Sequence, residues 1–269
     1  MKTRAITAFF FTIVMLASLY LGAWTFTVFY LLLSVFALRE FYILIEPSGI
    51  KVQKFTGLTT HVLIFGLLAS FMLLDLDLRY LLLIIPACTA FFLTELYRHE
   101  PEPFRNIAFG FGGLFFVTIP FCFFYALAFL LGKTQFSFHF PLAFLLMLWA
   151  SDTGAYLFGR KLGKHKLFER HSPKKTWEGF FGGVLTSVLV SFIISLYFTE
   201  LTFASWAGMA VLIVSFGTLG DLVESMLKRS LGAKDSGQLL PGHGGLLDRF
   251  DGLLIAAPLV YAYLWLILN

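Results

Sequence analysis

Residues 225–251 read SMLKRSLGAKDSGQLLPGHGGLLDRFD, and this stretch decides how the chain is built. Nearly half of it is glycine or charged side chains, yet a long apolar segment flanks it on each side. A charged side chain near the centre of a bilayer costs about 2.5–3.5 kcal/mol on insertion scales. The stretch therefore predicts a water-facing edge of a membrane protein. Its mixture of Lys, Arg, Asp, His and paired Gly favours a site for polyphosphate and a divalent cation.

The composition of the whole chain also indicates a membrane protein. Of the 269 residues, 58% are hydrophobic and 13% are charged, whereas soluble domains have about 25% charged residues. Cys88 and Cys122 both lie in apolar runs, so neither a disulfide framework nor a zinc site is indicated.

Nine apolar runs are long enough to cross the bilayer as helices. They cover residues 5–22, 24–41, 57–75, 78–96, 106–131, 138–159, 179–199, 204–227 and 252–268. The first two are so close that a tight turn is required near Gly22. The predicted fold is an all-α polytopic membrane protein of about nine spans.

The distribution of positive charge predicts the orientation. If the N-terminus is cytoplasmic, all 20 Lys and Arg residues except Arg79 and Lys133 fall on the cytoplasmic side, as the positive-inside rule requires. The N-terminus is then inside and the C-terminus outside, in a bacterial inner (plasma) membrane or its equivalent. Because the positive charge gathers on the membrane's inner face, the net charge of +4 does not indicate nucleic-acid binding.

Polar residues within the spans divide the chain into two regions. Residues 1–135 form a predicted scaffold with few charges inside the apolar runs. Residues 136–269 form a predicted catalytic region with cytoplasmic loops 160–176 and 228–251.

The first candidate site lies in and around residues 225–251. Asp221, Ser225 and Lys228 are spaced to share one helical face. Asp248 and Asp251 share a face at the start of the last helix, and carboxylates suit Mg²⁺, which takes its other ligands from water and phosphate.

The second candidate site surrounds the loop at 160–176. Asp152 is an acid inside a span, and such acids are usually functional. Ser172–Gly179 combines Lys174, Lys175 and hydroxyl side chains with a helix start, and a helix N-terminus binds anions. Thr176 is predicted to cap that helix. A basic patch for anionic lipid headgroups remains an alternative for this loop.

Other motifs are weaker indicators of chemistry. Gly179 and Gly183 are spaced for close helix packing. The chain has no G-x-x-x-x-G-K-[ST] motif and so is not a P-loop enzyme. His243 lies inside the glycine-rich loop, where it either binds phosphate or acts on a proton.

Residues 225–251 resemble the signature of the phosphatidate cytidylyltransferase (CDP-diacylglycerol synthase) family. That signature is S-x-apolar-K-R-x4-K-D-x-small-x2-apolar-P-x-H-G-G-apolar-x-D-R-apolar-D, and every specified position is filled. The upstream elements SDTGAY at 151–156 and SPKKTWEG at 172–179 are also similar to the family. The resemblance is strong from about Trp149 to Gly252 and general before that.

The resemblance implies the reaction CTP + phosphatidate → CDP-diacylglycerol + pyrophosphate. It implies that Asp221, Asp248, Lys228 and Arg229 are catalytic. It implies a Mg²⁺ cofactor, with a second metal ion left open, held by Asp221 and Asp248 with Asp152 and Asp251 as additional ligands. The implied substrate contacts are Ser172, Lys175, Thr176, Ser225, Lys234, His243, Gly244, Gly245 and Arg249.

The implied partners are CTP, phosphatidate and the lipid bilayer, with a homodimer left open. Two other functions stay open from the sequence. A CTP-dependent polyprenol or lipid kinase would use the same nucleotide in the same setting. An ion-coupled transporter would use Asp152, Asp221 and Glu224 as an ion path, but the chain lacks the internal repeat common in transporters.

Overall fold

The structure is a computed structural model that describes residues 2–170, 172–237 and 244–268. The described residues form ten α-helices and one short β-hairpin, with a few short 3₁₀ and π-helical turns. The helices are α1 (Lys2–Tyr20), α2 (Ala23–Ile45), α3 (Lys54–Leu73), α4 (Ile84–Leu96), α5 (Pro103–Gly113), α6 (Ile119–Ala126), α7 (His139–Leu162), α8 (Trp177–Tyr197), α9 (Phe203–Ser230) and α10 (Leu247–Leu268). Helices α5 and α6 form one span through a π-helical turn, Leu114–Thr118.

Eight helical segments among the described residues are long and apolar enough to cross a membrane. They correspond to the second through ninth predicted spans, and their ends agree within about three residues, except that the second span extends to Ser48 rather than 41 and the ninth begins at Leu247 rather than 252. The apolar stretch described in α1, Phe9–Tyr20, is shorter than a full span. The all-α membrane fold is confirmed, whereas the first span and the orientation stay predictions.

The turn between α1 and α2 is as tight as the sequence predicts. Gly22 has φ +104°, a left-handed backbone conformation that residues with a Cβ rarely adopt. Glycine at this position therefore lets the chain reverse within two residues.

The loop predicted at 160–176 is more ordered than expected. Helix α7 continues to Leu162, and β1 (Lys166–Phe168) then pairs antiparallel with β2 (Ser172–Thr176). The loop predicted at 228–251 is correspondingly shorter, because Lys228 belongs to the end of α9 and Leu247 begins α10. Both differences lengthen the helices at the polar end of the bundle.

Aromatic side chains form much of the core between the helices of both predicted regions. Phe26, Tyr30 and Phe124 are fully buried, and their ring centroids lie 4.6–6.4 Å apart. The Phe121 ring lies 5.5 Å from the ring of Phe250 in α10. Helix α6, from the first half of the chain, therefore packs against the helix that carries Asp248 and Asp251.

Candidate active site

A cavity of about 570 Å³ lies among α7, α8, α9, α10 and the hairpin. Its wall carries charged side chains of both signs. These are Asp152, Arg160, Lys174, Lys175, Asp221, Asp248, Arg249 and Asp251. Leu148, Phe180 and Val214 add an apolar part to the same wall, so the cavity can hold a molecule with a charged head and an apolar body.

Asp221 and Asp251 reach the cavity because α9 and α10 cross closely beside them. A Cβ added at Gly220 would overlap the carbonyl oxygen of Asp251, and one at Gly252 would lie 3.6 Å from the Gly217 Cα. At position 220 only a residue without a side chain allows this approach, whereas the distance at Gly252 is an ordinary van der Waals contact. The crossing therefore places two acids, each adjacent in sequence to a glycine, on the same cavity wall.

Asp221 has two further partners. Its Oδ1 accepts a hydrogen bond from Ser225 Oγ at 3.2 Å, and its Oδ2 pairs with Lys175 Nζ at 2.5 Å. The predicted shared face of Asp221 and Ser225 is confirmed. Lys175 belongs to the hairpin, so this ion pair connects the hairpin to α9 across the cavity.

Asp248 joins the glycine-rich loop to α9. Its Oδ2 accepts backbone N–H groups from Ser236 at 3.0 Å and Gly245 at 2.9 Å. Its Oδ1 pairs with Lys228 Nζ at 2.5 Å. A carboxylate has about four lone-pair sites, so Asp248 retains capacity for a further partner in the cavity.

Lys228 is held between two acids. Besides Asp248 it pairs with Glu224 at 2.7 Å, one turn earlier on α9. The Glu224 side chain is almost fully buried, and its Oε1 has no hydrogen-bond partner in the part of the chain that the structure describes. The ammonium charge of Lys228 compensates part of this buried negative charge.

The hairpin is fixed to the start of α8. Thr176 Oγ1 accepts the N–H of Gly179 at 3.2 Å, which confirms the predicted N-cap. His165 Nδ1 lies 2.6 Å from Oε1 of the Glu178 carboxylate. The Lys164 N–H donates to Oε2 of the same carboxylate at 3.0 Å. These bonds hold the strand that presents Lys174 and Lys175 to the cavity.

Helices α7 and α8 approach each other closely beneath the hairpin. A Cβ at Gly179 would lie 2.9 Å from the Ala155 carbonyl oxygen, and one at Gly183 would lie 3.0 Å from that of Ser151. The predicted packing role of Gly179 and Gly183 is confirmed. It places Asp152 opposite the start of α8.

The structure brings many of the sequence-predicted site residues to one place and leaves others at its margin. The cavity wall includes Asp152, Lys175, Thr176, Asp221, Asp248, Arg249 and Asp251. The predicted site residues that do not line it are Ser172, Ser225, Lys228, Arg229, Lys234, Gly244 and Gly245. Among these, Ser225, Lys228 and Gly245 contact its acids directly.

Three predicted contacts lie further out. Arg229 donates to the Ala233 carbonyl at 3.3 Å, and Lys234 is exposed. Ser172 lies in β2, on the hairpin. His243 lies outside the described residues, so its predicted role stays a prediction.

Glu40, near the end of α2, contacts the site although the sequence did not indicate it. It is buried, and its carboxylate accepts the N–H groups of Leu246 at 2.9 Å and Leu247 at 3.0 Å. Ser236 Oγ also donates to it at 2.5 Å. No local pattern signals a contact across about 200 residues.

The donor set can be compared with the needs of a divalent cation. Asp152, Asp221 and Asp251 line one cavity. No three His, Cys, Asp or Glu side chains in the described segments form a ready-made metal cage. Oxygen donors of this kind fit Mg²⁺, which takes one or two carboxylates and completes its shell with water and phosphate.

Comparisons with known proteins point to a single family. A model of the cytidylyltransferase family matches residues 2–267. The chain is 36% identical over 266 residues to a phosphatidate cytidylyltransferase of Staphylococcus haemolyticus (strain JCSC1435), and the match covers 97% of each chain. Phosphatidate cytidylyltransferases of Staphylococcus aureus (strain COL) and Staphylococcus epidermidis (strain ATCC 12228) are 37% and 36% identical with the same coverage.

Proposed function

The chain belongs to the cytidylyltransferase family, and we propose that it transfers the CMP group of CTP to phosphatidate, giving CDP-diacylglycerol and pyrophosphate. The observation that carries the proposal is the convergence of Asp152, Asp221 and Asp251 with Lys175 and Arg249 in one cavity between membrane helices. The names of the relatives, which match the chain along almost its whole length, point to the same reaction.

The chemistry is a displacement at phosphorus. A phosphate oxygen of phosphatidate forms a bond to the α-phosphorus of CTP. The bond from the α-phosphorus to the oxygen bridging to the β-phosphorus breaks, and pyrophosphate leaves with the electron pair. No general base is required, because the attacking phosphate is already ionised. The protein's task is to position the groups and neutralise their charge.

The cations in the cavity perform the neutralisation. Both substrates are polyanions, and like charges repel strongly at a partly dry site. Lys174, Lys175, Arg160 and Arg249 all line the cavity. We assign Lys175 and Arg249 to substrate phosphates, because Lys175 pairs with Asp221 and Arg249 directly follows Asp248 in the chain.

The carboxylates suit a magnesium-bound nucleotide. Asp221 and Asp248 would hold the ion, with Asp152 and Asp251 as additional ligands. Bound Mg²⁺ would offset phosphate charge and orient the triphosphate. In addition, Asp248 holds the glycine-rich loop through the N–H groups of Ser236 and Gly245.

The lipid substrate would enter from the bilayer. The acyl chains of phosphatidate remain in hydrocarbon, so only its head needs to reach the acids. Leu148, Phe180 and Val214 provide an apolar wall beside the charged one. The positive-inside pattern favours the cytoplasmic face of a bacterial inner membrane for this site.

The test uses purified protein with phosphatidate, Mg²⁺ and CTP labelled separately on the α- and γ-phosphorus. We expect the α label in the lipid product and the γ label in pyrophosphate, with both signals lost when a chelator removes the metal. Transfer of the γ label to a lipid, with release of CDP, would instead identify a kinase and overturn the proposal.

A further inference from the structure

We propose that Glu40 of α2 is a positioning residue for the nucleotidyl transfer, because it holds the glycine-rich loop and thereby the Asp248 carboxylate in place. The inference rests on the proposed function for its kinetic part. Glu40 lies in the predicted scaffold region and does not line the cavity, so it acts through other residues.

The Glu40 carboxylate accepts three hydrogen bonds from the segment around the loop. Oε1 accepts from Ser236 Oγ at 2.5 Å and from the N–H of Leu247 at 3.0 Å, and Oε2 accepts from the N–H of Leu246 at 2.9 Å. Leu247 is the first residue of α10. The carboxylate therefore caps the positive end of the helix that carries Asp248 and Asp251.

The same loop residues connect Glu40 to the site. Ser236 donates its side chain to Glu40 and its backbone N–H to Asp248 Oδ2 at 3.0 Å. Asp248 in turn pairs with Lys228. Two carboxylates, one from α2 and one from α10, thus fix Ser236 from opposite sides.

Two glycines leave room for the Glu40 side chain. A Cβ at Gly237 would lie 2.7 Å from Glu40 Oε2, and one at Gly245 would overlap both Glu40 Oε1 and Ser236 Oγ. These glycines are part of the stretch at 225–251. The close approach of the Glu40 carboxylate explains why both positions lack side chains. This reason is separate from any contact of the loop with phosphate.

A purely structural cap would stabilise α10 without affecting the reaction selectively. A positioning role predicts more, because displacement of Asp248 and Lys228 lowers turnover while the apolar wall formed by Leu148, Phe180 and Val214 still receives the lipid. The kinetic signature is therefore a fall in kcat with little change in the KM for phosphatidate.

The test compares Glu40→Gln with Glu46→Gln. Glutamine keeps the shape of Glu40 but offers one acceptor oxygen and an NH₂ group to three donors. Glu46 lies just beyond the same helix end, is half-exposed and pairs with Lys54 at 2.5 Å, so the control makes the same chemical change away from the loop. We expect kcat per folded protein to fall about 10-fold or more in Glu40→Gln, with the KM for phosphatidate within about 2-fold, and no loss in Glu46→Gln.

Trypsin cleavage after the exposed Lys234 provides a readout that does not depend on activity. The folded Glu40→Gln protein should be cleaved several-fold faster than wild type, because the loop has lost its anchor. Ser236→Ala should show a similar but smaller effect, and the double variant should lose less than the product of the two single losses.

Wild-type kcat and wild-type cleavage in Glu40→Gln would overturn the proposal. So would a loss of activity that only follows the loss of folded protein, with kcat per folded molecule unchanged. If the wild-type protein makes no CDP-diacylglycerol, the proposed function fails instead, and the cleavage rates still decide whether Glu40 anchors the loop.

Discussion

Asp248 serves two structural segments at once, and this makes it the residue whose replacement tells most about the site. One oxygen holds the loop through the N–H groups of Ser236 and Gly245, and the other holds Lys228. The carboxylate also lines the cavity. A carboxylate accepts hydrogen bonds through both oxygens, so it can serve the loop and Lys228 together.

Asp248→Asn is expected to lose roughly 100-fold or more in turnover. The amide NH₂ would face either the loop N–H groups or the Lys228 ammonium. Both are hydrogen-bond donors, so neither can accept a hydrogen bond from the NH₂ group. Membrane insertion should survive, because the long apolar spans are unchanged. Labelled CTP incorporation and membrane fractionation measure the two effects, and near-normal turnover with Mg²⁺ supplied would remove Asp248 from the site.

Two lysines with different surroundings provide a matched comparison. Lys228→Ala leaves Glu224 and Asp248 close together without their cation, and breaking such a buried pair costs about 3–5 kcal/mol. Lys166→Ala removes only an exposed bond to the Pro173 carbonyl. We expect more than a 10-fold loss of turnover and a lower melting temperature for Lys228→Ala, and changes within about 2-fold for Lys166→Ala. Equal losses would mean that the hairpin lysine also serves the substrate.

At the scale of single residues, the sequence predicted local contacts and missed distant ones. The Thr176 cap and the Asp221–Ser225 pair follow from spacing along one helix. The partners of Lys228 did not follow, because its Nζ turns to Glu224 and Asp248 rather than to Asp221. Glu40 had no local signal, since its partners lie in the last described helix and the loop before it.

At the scale of elements, the crossing of α9 and α10 determines where the acids meet. Gly220 lacks the side chain that would press on the Asp251 carbonyl oxygen and separate the two helices. Sequence periodicity indicated both helices and the shared face of Asp248 and Asp251. It could not predict where the two helices cross, because the crossing depends on which residues of α9 and α10 meet in the folded chain.

Gly220→Ala is expected to separate α9 from α10 and to lower both stability and turnover. The added methyl would overlap the Asp251 carbonyl oxygen, and overpacking of this kind costs about 1–3 kcal/mol. Gly66→Ala is the control, because a Cβ there meets nothing within 4 Å and alanine favours a helix over glycine. Thermal melting in detergent and labelled CTP turnover measure the difference. A Gly220→Ala protein as stable and active as the control would show that the helices do not need this contact.

The hairpin at 166–176 is the element that the sequence did not indicate. Its strands have three and five residues, and β2 contains Pro173 and no apolar alternation. It forms because Glu178 and Thr176 tie its ends to the start of α8. Its position beside the cavity depends on a tertiary contact, the ion pair between Lys175 and Asp221.

At the scale of the whole molecule, hydropathy predicted the fold well because lipid allows few alternatives. Each apolar run must become a helix to satisfy its backbone, and the second through ninth predicted spans do so. Loop contacts also sort onto two ends of the bundle. Lys51 pairs with Glu100 at 2.9 Å at one end, and Lys133 pairs with Asp75 at 3.1 Å at the other.

The orientation is testable with single cysteines in a background where Cys88 and Cys122 are replaced by alanine. Because positive residues favour the cytoplasmic side, we expect Lys164→Cys to react with a membrane-impermeant thiol reagent only after cells are opened. Arg79→Cys, on the opposite loop, should react in intact cells. The reverse pattern would place the site outside and exclude cytoplasmic CTP as its substrate.

During translation, Glu40 enters the bilayer long before the ribosome adds Leu246 and Leu247. Until then its carboxylate lacks those two N–H donors, and the pocket lacks the wall that α10 provides. A nascent chain that lacks α10 therefore lacks the Asp248, Arg249 and Asp251 side chains of the cavity wall. The cavity wall is complete only when the last described helix is in place.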